Sequence, residues 1–392
     1  MMFEKLKSRI RHQIVARGNQ SSDFDPKQQL IVAGTFRTSN GIGRAAVGCY
    51  HALQALGLEP IAVDLSDGFN QVDQESPVPL KHPKLSRSGT AIIYANPPEL
   101  ERALMILGLR RWHTWRLIGA WVWELPTVPK AWQKQVELVS EIWAPSSFVT
   151  AAFSRDFSVP VKRVPHYFEL PAESAKAQAS PINAANPFKV LVLADGRSSF
   201  HRKNIEIAIE IFRVAFAPGP VAELTIKTRN LPHYPEVAAL LNEAVKEDHR
   251  IRVLDTSMPH EALMSLIADH HILLSPHRSE GFGISLAEAM MLGTIGVATG
   301  WSGNADFMNE ENSVLLPYTL DRINDPTGIY ADSRDVWATV DCTASADALR
   351  RLSREDDRRR KIAARAKLDI KRWISIVPYR KALGIKAGSQ FS

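Results

Sequence analysis

The sequence contains few cysteines and no long apolar run, and both absences narrow what the chain can be. Its 392 residues include two cysteines, Cys49 and Cys342, whose positions match no metal-ligand spacing. Neither a disulfide framework nor a zinc site is therefore expected. No apolar run reaches the ~18 residues of a membrane-spanning helix, and the N-terminus lacks the apolar stretch of a signal peptide. We expect a protein that works in the reducing cytoplasm.

Length and hydrophobic patterning predict two α/β domains. The chain is longer than the ~250–300 residues at which a single hydrophobic core stops growing. Short apolar segments alternate with helix-compatible segments, which is typical of parallel sheets covered by helices. The predicted strands of the first domain are 30–34, 60–64, 91–94, 117–123 and 141–144, and those of the second are 189–193, 223–227, 250–254, 271–274 and 295–298.

A polar, alanine-rich stretch separates the two series of strands and is the predicted linker. The predicted organisation is a basic N-terminal segment at 1–28, a first domain at 29–170, the linker at 171–186, a second domain at 187–370 and a C-terminal segment at 371–392.

Two glutamates eight residues apart flank a glycine-containing turn between a predicted strand and a predicted helix. The turn contains Gly281 and Gly283, and the helix is predicted to begin near Ile284. The first N–H groups of such a helix suit a bound phosphate. Glu288, just over one turn into the helix, can accept hydrogen bonds from ribose hydroxyls, while Glu280 can meet the hydroxyls of a sugar. The pattern predicts a sugar-nucleotide site.

A basic loop follows the first strand of the predicted second domain. It runs from Asp195 to Asn204, and its Arg197 and Lys203 lie six residues apart. Loops at the carboxyl ends of parallel strands open into the ligand crevice, so we predict that these two cations converge on a diphosphate leaving group. Arg202 is an alternative to Lys203, because the sequence does not resolve neighbouring positions.

These motifs, together with the run from Thr299 to Met308, resemble the retaining GT-B glycosyltransferases of family 4. The resemblance is strongest within residues 190–310. It implies two doubly wound, Rossmann-like α/β domains facing each other across a cleft, with a C-terminal segment that crosses back onto the first domain. In that family the first glutamate faces the donor sugar and the second binds the ribose. The donor-binding residues predicted in the second domain are Arg202, Gly281, Phe282, Gly283, Glu288, Gly303 and Asn304.

The first domain carries a second glycine motif, Gly41-Ile-Gly43-Arg, which matches a dinucleotide-binding pattern. Six residues separate the strand from these glycines, whereas a dinucleotide site needs a tight turn there. The resemblance instead places the motif across the cleft from the donor phosphates and near the acceptor, and we assign Gly41 and Gly43 to donor binding. Glu124 is a candidate for acceptor contact or catalysis, and His166 is a candidate for positioning the acceptor.

The predicted chemistry is the departure of a nucleoside diphosphate, whose negative charge Arg197 and Lys203 would stabilise. No divalent metal or other cofactor is therefore expected. The resemblance implies retention at the anomeric carbon, either by a same-face reaction or through a covalent intermediate on Glu280 or Glu124. The donor would be a GDP- or UDP-sugar, and the acceptor a glycan or lipid-linked saccharide of cell-surface polysaccharide or lipopolysaccharide assembly. The alternatives are a GT-B sugar-nucleotide epimerase and a non-catalytic sugar-nucleotide-binding protein.

Charge patterning indicates one further partner. Cations at Lys5, Lys7, Arg9, Arg11 and Arg17 form a short basic amphipathic segment that can dock on an anionic bilayer, at the inner face of the plasma membrane. The cluster 110–116, which mixes cations with indoles, is a second candidate to face lipid or an acceptor sugar; the alternative is core tryptophans with surface arginines. Nucleic acid is not an expected partner, because 42 acidic residues balance the 48 lysines and arginines and no binding motif is present.

Overall fold

The structure is a computed structural model. It describes residues 23–108, 114–171, 181–183, 186–216, 222–330 and 335–386, and for Arg197 it describes the backbone alone. Contacts divide the described chain into two compact units. The N-terminal unit comprises the residues up to Glu169 and those from Ile374 onward, and the C-terminal unit runs from Leu170 to Trp373. The basic segment 5–17 and most of the predicted linker lie outside the described residues.

A parallel sheet forms the centre of the N-terminal unit. Its strands are β1 (Gln29–Gly34), β2 (Ile61–Asp64), β3 (Gly89–Ile93), β4 (Trp115–Ala120), β5 (Glu141–Ala144) and β6 (Val161–Arg163). Their order across the sheet is β2-β1-β3-β4-β5-β6, so the first strand lies between the second and the third. The helices that follow them are α1 (Gly41–Ala55), α2 (Ser66–Phe69), α3 (Pro97–Leu107), α4 (Gln133–Val136) and α5 (Ser147–Asp156).

The C-terminal unit contains a second parallel sheet. Its strands are β7 (Phe188–Leu193), β8 (Ala222–Thr228), β9 (Ile251–Asp255), β10 (Ile272–Ser275), β11 (Ile295–Thr299) and β12 (Val314–Leu316). Their order across the sheet is β12-β11-β10-β7-β8-β9. Its helices are α6 (Phe200–Lys203), α7 (Ile205–Ala215), α8 (Pro235–Glu247), α9 (His260–Ala268), α10 (Ile284–Leu292), α11 (Cys342–Arg354) and α12 (Asp356–Trp373). An antiparallel hairpin, β13 (Tyr318–Arg322) and β14 (Val336–Val340), lies outside this sheet.

The strand order of the C-terminal unit creates a topological switch point beside β7. The chain first adds β8 and β9 on one side of β7 and then returns to place β10 on the other side. The carboxyl ends of β7 and β10 therefore flank the switch point, where an open α/β sheet forms a crevice. In open α/β sheets, ligands bind in such a crevice.

Both sheets form because apolar side chains on both faces of their strands are buried. In the C-terminal unit, Phe188 and Leu274 from the sheet pack with Phe212 of α7 and Leu349 of α11, and all are buried. Helix α7 presents its apolar residues at helical spacing, so one face enters the core. The N-terminal unit has a separate core, in which Ile31, Trp121 and Phe153 are buried. Each unit therefore has its own hydrophobic core.

The helix α13 (Val377–Leu383) belongs to the N-terminal unit and is held there by a buried ion network. Its Ala382 carbonyl accepts hydrogen bonds from Arg116 Nη2 at 3.2 Å and from Lys162 Nζ at 2.8 Å. Glu141 forms ion pairs with the same two cations, at 2.9 and 2.7 Å. Cations near a helix C-terminus compensate its unpaired carbonyl groups.

This network corrects the prediction that the cluster 110–116 faces lipid or an acceptor. Residues 110–113 lie outside the described residues, but Trp115 and Arg116 belong to β4 and are buried. Arg116 lies inside the unit because Glu141, from the neighbouring strand, supplies a compensating charge.

All ten strands predicted from the sequence are present, with ends within a few residues of the predicted ones. The parallel α/β architecture is confirmed. Two boundaries were wrong in ways that matter for the site. Helix α1, which the sequence pattern predicts to start near Arg44, begins at Gly41, because Asn40 caps it by accepting a hydrogen bond from Gly43 N at 2.7 Å. Strand β4 ends at Ala120, because Val122 N donates to the side chain of Asn96 instead of to a neighbouring strand.

Candidate active site

The loop after β7 contains a short 3-10 turn at Gly196–Ser198 and then α6. Ser199 caps α6 by accepting a hydrogen bond from Arg202 N at 3.2 Å. Asn204 ends α6 in a left-handed conformation, and its Nδ2 donates to Pro276 O, in the loop after β10, at 3.0 Å. Short polar side chains tolerate left-handed backbone and bond locally. The loops at the switch point are therefore joined directly.

Arg202 makes the strongest connection between these two loops. Its side chain is buried, and Nη1 donates to Ser279 O at 2.6 Å while Nη2 donates to Ser198 O at 3.0 Å. The connection continues through the backbone, since Arg278 N donates to Arg202 O at 2.8 Å. The position that the sequence offered as an alternative to Lys203 thus binds both loops together.

Lys203 and Glu280 form an ion pair at the same place, and Arg202 Nη1 lies 3.2 Å from the same Glu280 oxygen. Burial would raise the pKa of Glu280, but the charges of Lys203 and Arg202 outweigh it and hold this pKa well below its ordinary value. The cluster consequently contains two cations and one ionised carboxylate. Its net positive charge, at a crevice between strand ends, suits an anionic ligand.

Arg197, the other predicted phosphate ligand, has its backbone in the 3-10 turn at the carboxyl end of β7. This is the edge of the sheet at which Lys203 and Glu280 meet. The side chain of Arg197 lies outside what the structure describes, so its predicted contact with the diphosphate stays a prediction.

The turn that contains Gly281, Phe282 and Gly283 packs against the loop after β11. Gly303 N donates to Glu280 O at 2.8 Å, and Glu280 N donates to Ser302 Oγ at 2.8 Å. A Cβ atom on Gly303 would lie 2.2 Å from the Gly281 carbonyl oxygen, so no side chain fits there. Gly283 has φ of 91° and precedes α10, whose first N–H groups consequently point toward the turn.

His277 lies beneath this turn and was not identified from the sequence. Its Nε2 is 3.0 Å from Asn304 Oδ1 and its Nδ1 is 3.0 Å from Ser275 Oγ. Burial, with the charges of Lys203 and Arg202, lowers the pKa of His277 to about 4. Asn304 also donates to Thr299 O at 2.9 Å, so the side chain of this predicted donor ligand is buried in internal hydrogen bonds.

Glu288, the predicted ribose ligand, lies on α10 and is 1% exposed. Its Oε1 is 3.1 Å from Nε2 of His260, the first residue of α9. His260 is partly exposed, so it connects the buried carboxylate to the surface of the unit. Sequence reasoning missed His260 because a single histidine at a helix start belongs to no recognisable motif.

The remaining candidates lie in the N-terminal unit. Gly41 and Gly43 form the first turn of α1, and Arg44 follows them. Burial and then the charge of Arg44 lower the pKa of His166 to about 3, so this histidine is neutral near pH 7. The segment that carries His166 packs on α1, since a Cβ atom on Gly48 would lie 1.6 Å from Tyr167 O. Glu124 is partly buried beyond the end of β4. The structure therefore places the segment of His166 on the helix that begins with the glycine motif.

Two further properties concern metals and membranes. Within the described residues, no group of three or more histidine, cysteine, aspartate or glutamate side chains is arranged to hold a metal ion. In the same ranges, no helix has both the length and the apolar character needed to cross a bilayer.

Comparison with known proteins adds a family and a fold. The family model described as "Family 4 Glycosyltransferase in conflict systems" matches residues 148–375. The comparison with curated proteins gave no match.

Several solved structures are similar. HepE from Anabaena, solved with UDP and glucose, has a TM-score of 0.63 at 13% identity, covering 91% of this chain and 98% of HepE. Sucrose-phosphate synthase from Thermosynechococcus elongatus has a TM-score of 0.63 at 15% identity, covering 91% of this chain and 96% of the synthase. TarM from S. aureus, solved with fondaparinux, α-GlcNAc-glycerol and UDP, has a TM-score of 0.56 at 12% identity, covering 76% of this chain. This chain spans 56% of the length of TarM. These likenesses support the two-domain GT-B fold.

Proposed function

The chain belongs to the family 4 glycosyltransferases of conflict systems, and we propose that it transfers a sugar from a nucleoside-diphosphate sugar to a saccharide acceptor. The observation that carries this proposal is the cluster of the partly buried Lys203 with the buried Arg202 and Glu280 at the switch point of the C-terminal unit. A diphosphate needs cations at such a crevice, and a sugar beside it needs a carboxylate that binds hydroxyl groups.

The proposed donor is a UDP-sugar, with a GDP-sugar as the alternative. UDP is supported by the solved structures of HepE and TarM, both of which were determined with this nucleotide. Glu288 is the proposed ribose ligand, because a carboxylate can accept hydrogen bonds from two vicinal hydroxyl groups. Binding there requires the ribose to approach the carboxylate beside His260.

The proposed reaction retains the anomeric configuration and uses no metal ion. The bond between the anomeric carbon and the β-phosphate oxygen breaks, and the acceptor oxygen forms the new bond on the same face. The departing phosphate accepts the acceptor's proton. Lys203, Arg197 and the N-terminus of α10 are the proposed stabilisers of the charge that develops on the leaving group. Glu280 would orient the donor sugar.

The proposed acceptor is a glycan or lipid-linked saccharide of cell-surface polysaccharide or lipopolysaccharide assembly, and the N-terminal unit would bind it. His166 supports this assignment: with its pKa lowered to about 3 it stays neutral near pH 7, as suits contact with an uncharged hydroxyl. The basic segment 5–17 would associate with an anionic membrane surface. Deleting residues 1–18 should then release the chain from anionic vesicles in a co-sedimentation assay, without loss of activity on a soluble acceptor.

Calorimetric titration with UDP and with GDP tests the donor site first. We expect one nucleotide to bind, with a signal that is lost in Glu288→Ala. A panel of sugar nucleotides then tests turnover, and NMR of the product tests retention through its anomeric coupling. Donor sugar that is converted without an acceptor would identify an epimerase. Nucleotide binding with no turnover across the panel and a range of saccharide acceptors would identify a non-catalytic binding protein, and no binding of either nucleotide would refute the proposal.

A further inference from the structure

The hairpin of β13 and β14 forms a two-stranded sheet of its own, apart from the six-stranded sheet of the C-terminal unit. The two strands pair only with each other, from Tyr318 opposite Val340 to Arg322 opposite Val336. Strand β13 is exposed along its whole length. In contrast, Trp337 of β14 is 2% exposed, although an isolated two-stranded hairpin has no core of its own.

Trp337 is buried against side chains from both loops of the proposed donor site. Its ring centroid is 5.3 Å from the ring of His201, which lies in α6 two residues before Lys203. Cζ of Arg278 is 5.2 Å from the centroid of the indole. Arg278 lies two residues before Glu280 on the loop after β10. The indole therefore packs against both segments that carry the partners of the central ion pair.

Backbone hydrogen bonds attach the hairpin to the same two loops. Ala338 N donates to Arg278 O at 2.9 Å, and Arg278 N donates to Arg202 O at 2.8 Å. His201 Nε2 lies 3.0 Å from Asn324 O, in the connection between β13 and β14. The hairpin thus contacts α6 and the Glu280 loop through both its side chain and its backbone.

The aromatic contacts of Trp337 explain why this arrangement can be precise. Tyr330 also contacts the indole in an edge-to-face arrangement, with ring centroids 6.4 Å apart, so three side chains contact the ring. A tryptophan has few rotatable bonds and a large flat face, and its position is fixed once both faces are covered. Such packing determines how far apart two loops lie, and catalytic groups must be held to within a fraction of an ångström.

We propose that Trp337 is a positioning residue for sugar transfer, which supports the Lys203 helix and the Glu280 loop by packing against both, without touching the donor itself. This inference rests on the proposed function of the same site. It assigns to the hairpin the role of holding the directly bonded donor loops in one fixed arrangement. Removing the indole should loosen the packing beside Lys203 and Glu280, so that these two side chains no longer act together on one donor.

The test compares Trp337→Ala and Trp337→Phe with a hairpin control, Leu320→Ala, which alters an exposed side chain of β13. The measurements are UDP affinity by calorimetry, and kcat and KM for the UDP-sugar that the unaltered chain uses. Because a misplacement of about 1 Å costs about 10²-fold in rate, kcat should fall by about 10²-fold in Trp337→Ala. It should recover to within about tenfold in Trp337→Phe, which keeps a flat ring. Leu320→Ala should stay within about twofold of the unaltered rate.

A second variant keeps the test decisive if Trp337→Ala fails to fold. His201→Ala removes one face of the contact from a partly exposed position, and it should lower kcat in the same direction while leaving KM for the donor nearly unchanged. Unaltered kcat in both His201→Ala and Trp337→Phe would overturn the inference. If UDP binding and turnover are present in the unaltered chain, that result refutes only the role of the hairpin; if both are absent there, the proposed function itself fails.

Fluorine NMR gives a readout that a purely structural residue would not alter. The chain labelled with 5-fluorotryptophan should show one resonance that disappears in Trp337→Phe, and saturating UDP should shift that resonance. In Lys203→Ala the shift should be lost, because UDP would no longer engage the helix that contacts the indole. A Trp337 resonance that does not respond to UDP bound by the unaltered chain would contradict the inference.

Discussion

The two units are built on similar parallel sheets, but they place different chemistry where their first strand ends. After β1, the buried polar groups are neutral hydroxyls, Thr35 and Thr38, and the nearby charge of Arg37 is paired with Asp64 toward the sheet edge. After β7, the buried groups are charged, with Arg202 and Lys203 gathered on one carboxylate. The same position in the two sheets therefore buries hydroxyl groups in one unit and charged groups in the other.

Buried charge is costly, so this difference indicates what each unit is suited to bind. An ion cluster taken out of water gives little net stability, because the loss of hydration offsets much of the attraction. The cluster in the C-terminal unit is explained better by a ligand whose charge completes it than by folding stability. The buried hydroxyl groups of the N-terminal unit are of the kind that hydrogen-bond a saccharide. The predictions below test this division, beginning with the largest effect.

Lys203→Ala should have the largest effect on turnover. The change removes one preorganised cation from the proposed leaving-group site, for which losses of roughly 10²–10³ in rate are usual. Arg197→Ala is expected to act in the same direction. Steady-state kinetics with the UDP-sugar substrate measure both.

Lys189→Ala is the matched control for these variants. Lys189 forms a surface ion pair with Asp269 at 2.8 Å in the same unit, and exposed pairs of this kind contribute about 0–1 kcal/mol. Its rate should match that of the unaltered chain. An equal loss of turnover rate in the Lys189 and Lys203 variants would mean that removing a cation from the proposed donor site affects the rate no more than removing one from the surface.

Acid should destabilise the C-terminal unit through His277. Its pKa is lowered to about 4 in the folded chain, below the ~6.5 of an unfolded histidine, so the unfolded chain binds the proton more readily. The associated stability is complete above pH ~6.5 and is lost as the pH falls toward 4, by about 3 kcal/mol at pH 4. Urea unfolding between pH 7 and pH 4 should show this loss, and His277→Asn should reduce it.

The exposed His249 provides the control, because His249→Asn should leave the pH dependence of unfolding unchanged. His166 extends the comparison to the other unit. Its pKa is lowered to about 3, so His166→Asn should affect acid unfolding of the N-terminal unit in the same direction. A stability of the C-terminal unit that is independent of pH over this range would contradict the buried, neutral state of His277.

How far the sequence predicts the molecule depends on the distance along the chain over which the signal acts. Strands such as β7 and β10 were predicted because their apolar runs are local, and the helix start after Gly283 was confirmed for the same reason. The hairpin was missed because β13 is short and exposed, and because the partner that makes it a strand begins 14 residues after Arg322.

Site partners were the hardest to predict, since they come from distant segments. Lys203 and Glu280 were each identified, but their contact joins positions 77 residues apart, and no local pattern encodes it. The burial of Arg116 likewise depends on Glu141 from another strand. His277 and His260 carry no motif at all. A sequence pattern can indicate which side chains are able to bind or react, whereas the fold decides which of them come into contact.

Two glycines provide the next test, because each lies against backbone in a different unit. A Cβ on Gly303 would lie 2.2 Å from Gly281 O, and one on Gly43 would lie 2.6 Å from Thr35 O. Either Gly→Ala change should displace a loop and cost about 1–3 kcal/mol of stability. Thermal unfolding and UDP titration are the measurements. Gly303→Ala should weaken UDP binding, whereas Gly43→Ala should lower stability and spare it; equal loss of UDP affinity would instead support the donor contact that the sequence predicted for Gly43.

The smallest expected effects separate the two glutamates of the C-terminal unit. Glu288→Ala removes the proposed charged hydrogen-bond acceptor for the ribose, and such bonds contribute about 1.5–3 kcal/mol, so UDP affinity should fall by about tenfold or more. Glu280→Gln leaves Lys203 and Arg202 without their neutralising carboxylate, which makes the site more positive. UDP affinity should therefore be unchanged or slightly higher in Glu280→Gln, while sugar transfer falls. Calorimetry and steady-state kinetics on the same two variants test this difference. An equal loss of UDP affinity in both variants would contradict the assignment of Glu288 to the nucleotide and Glu280 to the sugar.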